Sequence, residues 1–194
     1  MKIYLLRHGK TFGNLKKRYI GRTDEPLCEQ GRTEILERRY DLPVEKVFVS
    51  PLLRCRETAA LIWPDMPQHI VEDLRECDFG LFENKNYQEL ADCLQYQEWV
   101  DSMGQLPFPE GESRTDFAKR CRQAFFSVLK SCEEEGIQSI GMVVHGGTIM
   151  AVMEQVAVPS GSYYDFQAAN GNGYFLQSCE GGFAYDRIFE RESC

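Results

Sequence analysis

Two short apolar runs in this chain end in a histidine: Ile3-Tyr4-Leu5-Leu6 leads into Arg7-His8-Gly9, and Met142-Val143-Val144 leads into His145-Gly146-Gly147. The chain has three histidines in all, so two of them occupy the same kind of place. Each run has the length and β-rich character of a buried strand, and each is followed by a glycine-opened loop. In an open α/β sheet that is the edge at which ligands bind. One such histidine alone would read as an ordinary core or surface residue; two, one of them preceded by arginine, point to a shared site. Arg54 follows a third short run, Lys46–Val49. Arg7, His8, Arg54 and His145 brought together would make a receptor for a tetrahedral dianion, because guanidinium forks match phosphate oxygens bidentately and stay charged. A neutral imidazole in that setting can also attack phosphorus while the cations stabilise the equatorial oxygens, giving a phosphohistidine.

The alkoxide that departs needs a proton, and a carboxyl group kept protonated by its surroundings can supply it. Residues 74–80, Leu-Arg-Glu-Cys-Asp-Phe-Gly, offer Glu76 as the best candidate and Asp78, two residues on, as its rival. The bland alternative for either is a solvated loop charge.

These groups need a scaffold. At 194 residues the chain is long enough for one domain with a substantial core, and no repeat, linker or separate module interrupts it. A strand is expected over 2–6, a helix over 29–39, a strand over 46–49, a helix from 50 to about 63 with Ser50 as N-cap and Pro51 in the first turn, and a short strand over 69–71. A loop over 72–81 follows, then a helical stretch around 87–103 ended by Gly104. Ser113-Arg-Thr-Asp116 matches a capping box, and Phe117, Cys121, Ala124, Phe125 and Val128 recur at helical spacing behind it. Beyond lie a strand over 139–144, a helix over 148–156 and two late strands, 173–179 and 183–189. Strands alternating with helices predict a three-layer α/β/α sandwich with a mostly parallel central sheet, the four site residues sharing one edge.

Composition excludes several roles. A net charge of −8 argues against a nonspecific nucleic-acid binder, and no apolar run is long enough to cross a membrane. The N-terminus lacks the features of a signal peptide, and the eight cysteines contain no C-x-x-C pair, so reduced thiols in a cytoplasm are expected rather than a zinc cluster or a disulfide framework. A metal site is further disfavoured because arginines accompany both histidines. Cys55 and Cys77 are expected to be packing residues, His69 a surface residue and Trp63 part of the core. A monomer and a homodimer are both compatible with this composition.

Along nearly its whole length the chain resembles the histidine phosphatase superfamily, the phosphoglycerate mutase-like group. The matching pieces, in the family's order, are Leu6-Arg7-His8-Gly9-Lys10-Thr11-Phe12-Gly13-Asn14, the stretch 21–31 with its Pro26-Leu27, Ser50-Pro51-Leu52-Leu53-Arg54-Cys55-Arg56-Glu57-Thr58-Ala59, the acid loop 74–80, Pro109-Glu110-Gly111-Glu112-Ser113 and Val143-Val144-His145-Gly146-Gly147. The resemblance implies that His8 is the nucleophile, that Arg7, Arg54 and His145 complete the phosphate pocket, and that Glu76 is the proton donor and later the base for water. It also implies that Asn14 helps to hold the phosphate, that the Gly146 N–H approaches an oxygen, and that no metal or organic cofactor is needed. Two positions depart from the pattern. Ile20-Gly21 lacks the threonine that mutases carry, and Phe82-Glu83-Asn84 replaces a Trp-Glu-Gly, which puts the local turn in question.

Residues 77–112 are expected to form a lid, with eight carboxylates (Asp78, Glu83, Glu89, Asp92, Glu98, Asp101, Glu110, Glu112) and one basic residue, Lys85. A mutase holds a doubly charged acceptor and calls for cations there, so the acidic lid favours a phosphatase over a phosphoglycerate mutase. A module that only binds phosphate is the remaining alternative, and a nucleophile paired with an acid speaks against it. The lid aromatics, Phe79, Phe82, Tyr87, Tyr96, Trp99 and Phe108, are expected mostly to pack among themselves, some offering a flat surface to an organic group. Within the family, the short length and the passage Pro107-Phe108-Pro109-Glu110-Gly111-Glu112-Ser113 look most like the α-ribazole phosphatase type, a likeness shared with broad-specificity phosphatases. The implied partner is a small-molecule phosphomonoester, α-ribazole 5′-phosphate being one candidate.

Overall fold

The computed structural model describes residues 1–189. Among them, strands β1 (Lys2–Arg7), β2 (Lys46–Val49), β3 (Gln68–Ile70), β4 (Ser139–Val144), β5 (Ala157–Val158), β6 (Gly173–Cys179) and β7 (Gly182–Arg187) form one sheet in the order β3-β2-β4-β1-β6-β7-β5. The helices are α1 (Phe12–Leu15), α2 (Glu29–Glu37), α3 (Leu53–Ile62), α4 (Leu94–Asp101), α5 (Arg114–Glu134) and α6 (Gly146–Val156). β3, β2, β4 and β1 run parallel; β6 and β7 add an antiparallel hairpin, and β5 lies parallel to β7. The sheet is therefore mixed but mostly parallel, as the alternation of elements predicts.

Side-chain alternation explains the layers. In β1 and β4, Ile3, Leu5, Ile140, Met142 and Val144 turn to one face, where they bury Phe125 and Val128 of α5 and Ile149, Val152 and Met153 of α6. Leu6 and Val143, with Val47 and Val49 of β2, turn to the other face and cover Cys55, Ala59 and Trp63 around α3. Burying each such side chain contributes about 1.5–3 kcal/mol. The parallel strands thereby end together, with Arg7 in register with Val144 and the His8 N–H donating to Val144 O at 3.0 Å.

Several boundaries differ from expectation, each for a local reason. α3 starts at Leu53 with Leu52 as N-cap, not at Ser50; the Asp24 carboxylate accepts from the Leu53 N–H at 2.6 Å and caps the helix from another loop. The stretch 87–103 is helical only over α4, because the Asn86 side chain accepts from the Gln88 and Glu89 amides and holds a turn that competes with a helix. α6 begins two residues early, with His145 as its N-cap. The last strand ends at Arg187, and the loop 72–81 contains two 3₁₀ turns, Glu72–Leu74 and Gly80–Phe82. The single-turn α1, the two-residue β5 and a 3₁₀ turn at Tyr163–Phe166 are too short for a periodic signal. His69 is exposed and Trp63 is core, as expected.

Candidate active site

The sheet edge brings the predicted residues together. His8, at the end of β1, is buried, and its Nδ1 lies 2.7 Å from Gly9 O. A carbonyl only accepts, so Nδ1 carries the hydrogen and Nε2 keeps its lone pair. Burial, reinforced by the Arg54 and Arg7 charges, pushes the imidazole pKa well below 6.5, which leaves the ring neutral near pH 7. The Gly9 N–H donates to Thr58 Oγ1 at 2.9 Å, and that hydroxyl donates to Arg54 O at 2.7 Å. The nucleophile loop and α3 are thus tied to each other.

Arg54 is fully buried, and a ring of carbonyls holds it: Nη1 donates to Thr23 O at 2.8 Å, and Nη2 to Gly21 O at 2.9 Å and Ile20 O at 3.2 Å. Arg7 Nη1 donates to Ala168 O at 2.8 Å. The Nε atoms of both arginines are buried without a hydrogen-bond partner. Two buried cationic donors without a protein partner are favourable around an anion.

His145 follows β4, and its ring stands edge-on to that of His8 with centroids 5.2 Å apart. Ser50 Oγ lies 2.7 Å from its Nε2, which is why that serine does not cap α3. Burial, then the nearby Arg54, lowers the His145 pKa well below 6.5. As first residue of α6, Gly146 has an N–H outside the intrahelical ladder, at the anion-favouring end of the dipole. A Cβ on Gly146 would lie 3.4 Å from Arg7 Cζ, so the helix end and the guanidinium face each other. Cys55 is buried against His145, its Sγ 3.6 Å from Nε2, and burial pushes its thiol pKa up to about 12. It is inert packing, as expected.

The two candidate acids part company. Glu76 Oε1 accepts from the Cys77 N–H at 3.0 Å and Oε2 from the Gly147 N–H at 3.4 Å, beside the histidine motif. Burial raises its pKa above the usual carboxylate value, against the opposing pull of those N–H groups, Arg54 and Arg7. Asp78 faces away, accepting from the Gly80 N–H at 2.9 Å and pairing with Arg22 at 3.2 Å on the surface. Only Glu76 looks into the cationic pocket.

Asn14 Oδ1 accepts from the Thr11 N–H and from Asn170 Nδ2, both at 3.1 Å, which leaves the Asn14 amide nitrogen as the end presented outward. Asn170 also donates to His8 O at 3.1 Å. Nothing in the sequence marks Asn170, because its effect runs through another side chain and a carbonyl 162 residues away.

Both departures from the family pattern resolve locally. Glu83 Oε1 accepts from Gly21 N at 2.9 Å and from Thr23 N and Oγ1 at 2.8 Å each, so Glu83 shapes the loop whose carbonyls hold Arg54. Asn84 adopts φ 58°, the left-handed conformation that a glycine would take there, and asparagine tolerates it. The turn survives the substitution. Gly21 has no such latitude, since a Cβ there would stand 1.9 Å from Cys77 O.

The charges of residues 77–112 are partly spent on structure. Of the eight carboxylates, Glu83 binds the 21–23 backbone, Glu89 pairs with Arg18 at 2.5 Å, Asp78 with Arg22, and Glu112 with Arg120 at 2.7 Å; Asp92, Glu98, Asp101 and Glu110 are exposed. Phe79, Phe82, Tyr96, Trp99 and Phe108 pack on one another around Tyr19, while Tyr87 is exposed. Among the described residues no group of three or more His, Cys, Asp or Glu side chains is disposed to hold a metal ion, and no helix is long and apolar enough to cross a membrane.

Known proteins similar to this chain share one family. Residues 3–191 match the family described as histidine phosphatase superfamily (branch 1). An adenosylcobalamin/alpha-ribazole phosphatase of Salmonella typhimurium is 29% identical, with 93% of this chain and 92% of that protein covered. A 2,3-bisphosphoglycerate-dependent phosphoglycerate mutase of Gloeobacter violaceus is 33% identical over 79% of this chain and 74% of its own. The crystal structure of the alpha-ribazole phosphatase from Shigella flexneri superposes with a TM-score of 0.81 at 25% identity, covering 94% of this chain and 93% of that one.

Proposed function

Because the chain belongs to the histidine phosphatase superfamily (branch 1), we propose that it hydrolyses small phosphomonoesters through a phosphohistidine at His8, as a phosphoric monoester hydrolase. The observation that carries this is the neutral His8 ring, its Nδ1–H held by Gly9 O and its Nε2 left free among unsatisfied guanidinium donors. Arg7, Arg54, His145, the Asn14 amide and the Gly146 N–H bind the phosphoryl oxygens. His8 Nε2 forms the bond to phosphorus as the ester P–O bond breaks, and Glu76 gives its proton to the departing oxygen. Water then attacks the phosphohistidine, Glu76 takes its proton, and inorganic phosphate leaves with His8 regenerated.

The substrate proposed is a monophosphate with an organic body, α-ribazole 5′-phosphate foremost. The Salmonella relative's name and the matching chain length support it, and the passage over 107–113 adds to that. Residues 77–112 serve as the lid, and the cytoplasm is the proposed setting, in keeping with free thiols at the seven described cysteines. The Gloeobacter relative makes mutase activity the specific alternative. One experiment addresses both: rank kcat/KM over α-ribazole 5′-phosphate, phosphoserine, sugar phosphates and 3-phosphoglycerate, the last also with catalytic 2,3-bisphosphoglycerate while 2-phosphoglycerate and free phosphate are followed. Phosphate release should outrun isomerisation, with α-ribazole 5′-phosphate first in rank. Isomerisation outrunning release would make the chain a mutase.

A further inference from the structure

We propose that Arg120 of α5, clamped by Glu112, is a positioning residue that sets the Glu76 carboxyl against the leaving group. The proposal rests on Glu76 being the proton donor. A guanidinium has five N–H donors, and all five of Arg120 are engaged. Nε and Nη2 hold the Glu112 carboxylate at 3.0 and 2.7 Å, Nη1 donates to Asp73 O at 2.8 Å and Arg75 O at 3.1 Å, and Nη2 donates to Glu76 O at 3.4 Å. Glu112 also grips the far side of the same loop through its backbone, its N–H donating to Asp78 O at 2.9 Å. The carbonyls of residues 73, 75 and 76 are thus held by the Arg120 guanidinium, and that of residue 78 by the backbone of its partner Glu112.

The loop needs such a device. Between the 3₁₀ turns at Glu72–Leu74 and Gly80–Phe82 it belongs to no strand or helix, so no backbone ladder fixes Glu76. Arg120 is rooted in α5 between the core residues Phe117 and Cys121, and its guanidinium lies over the Phe117 ring at 5.3 Å. The side chains of Arg120 and Glu112 are only 13% and 18% exposed, so solvent screens the pair little. The rigidity of the helix is transmitted through one planar fork to the acid. A lysine would keep the charge beside Glu112 but has a single nitrogen, which cannot span the carboxylate and three carbonyls. A proton donor misplaced by about 1 Å costs on the order of 10²-fold in rate.

The test compares wild type, Arg120→Lys, Glu76→Gln and the double variant on an alkyl phosphate and on p-nitrophenyl phosphate, whose leaving group needs no proton, with inhibition by inorganic phosphate measured alongside. Arg120→Lys is expected to lose about 30- to 100-fold on the alkyl ester and at least about tenfold less on the aryl ester, with phosphate inhibition unchanged. The double variant should be no slower than Glu76→Gln alone, because both changes disable one function. Equal losses on both esters, weakened phosphate inhibition or additive losses in the double variant would make Arg120 a general structural residue and overturn the proposal. Should Arg120→Lys fail to fold, Glu112→Gln supplies the same comparison with the same expected split. If Glu76→Gln itself loses equally on both esters, the assignment of the acid fails instead, which is a distinguishable result.

Discussion

His8 is buried and Glu76 partly buried beside the same two arginines, and desolvation acts on them in opposite senses: it lowers the base and raises the acid. The productive state needs His8 neutral and Glu76 protonated, so the two shifts widen the pH range in which both conditions hold. His8 stays neutral until pH falls well below 6.5, and Glu76 keeps its proton to higher pH than an exposed carboxyl. On an alkyl ester, kcat/KM should therefore hold in mildly acidic solution and fall as pH rises through the raised Glu76 pKa. Glu76→Gln should remove that alkaline limb and slow alkyl esters by about 10²-fold, while p-nitrophenyl phosphate suffers less. A pH–rate profile of the wild type and Glu76→Gln on both esters checks this, and a larger leaving-group-dependent loss in Asp78→Asn would transfer the role to Asp78. The residues that announce themselves in the sequence are those with a local context: His8 and His145 each end an apolar run before glycine. Ser50 carried the wrong local signal, since a serine before proline reads as a helix cap. Its hydroxyl instead meets a histidine 95 residues away, a pairing no local pattern encodes.

At the scale of elements, the pocket depends on loops held by side chains. The segment from Arg18 to Thr23 is stitched to residues 83–89: Asn84 N donates to Tyr19 O at 2.7 Å, Tyr19 N to Lys85 O at 2.9 Å, and Glu83 receives the Gly21 and Thr23 amides. The carbonyls so arranged hold Arg54. Glu83→Gln should therefore weaken inorganic phosphate inhibition by about tenfold, as expected for losing a charged acceptor from several hydrogen bonds. Unchanged inhibition constants would separate the two loops. The strands and long helices were readable because hydrophobic periodicity is a local signal. The loops were not, because Glu83, Arg120 and Asn170 act on backbone carbonyls and amides far away in sequence. An arginine within a long helix reads as solvent-facing until its partners are known.

Over the whole molecule, a chain of net charge −8 places two of the three buried, unpaired guanidinium nitrogens among its described residues, Arg7 Nε and Arg54 Nε, at one sheet edge, the third being Arg18 Nε. The acidity of residues 77–112, read from composition as a barrier to a doubly charged acceptor, is partly structural: Asp78, Glu83, Glu89 and Glu112 fasten this stretch to its surroundings. The aromatic side chains of the same stretch likewise fill a small core of their own. Outside those contacts stand four exposed carboxylates and, within 77–112, no cation beyond Lys85, which suits release of a phosphoryl group to water rather than to a second anion. The central claim is that this group resides on His8 between the two half-reactions. The most direct measurement is to mix the enzyme with a 32P-labelled monoester, quench in alkaline denaturant, where phosphohistidine survives, and locate the label by peptide mapping. The account predicts label on the peptide carrying His8, more of it in Glu76→Gln with an aryl ester, and neither label nor turnover in a folded His8→Ala protein. Sustained turnover in His8→Ala, or label on another residue, would contradict it.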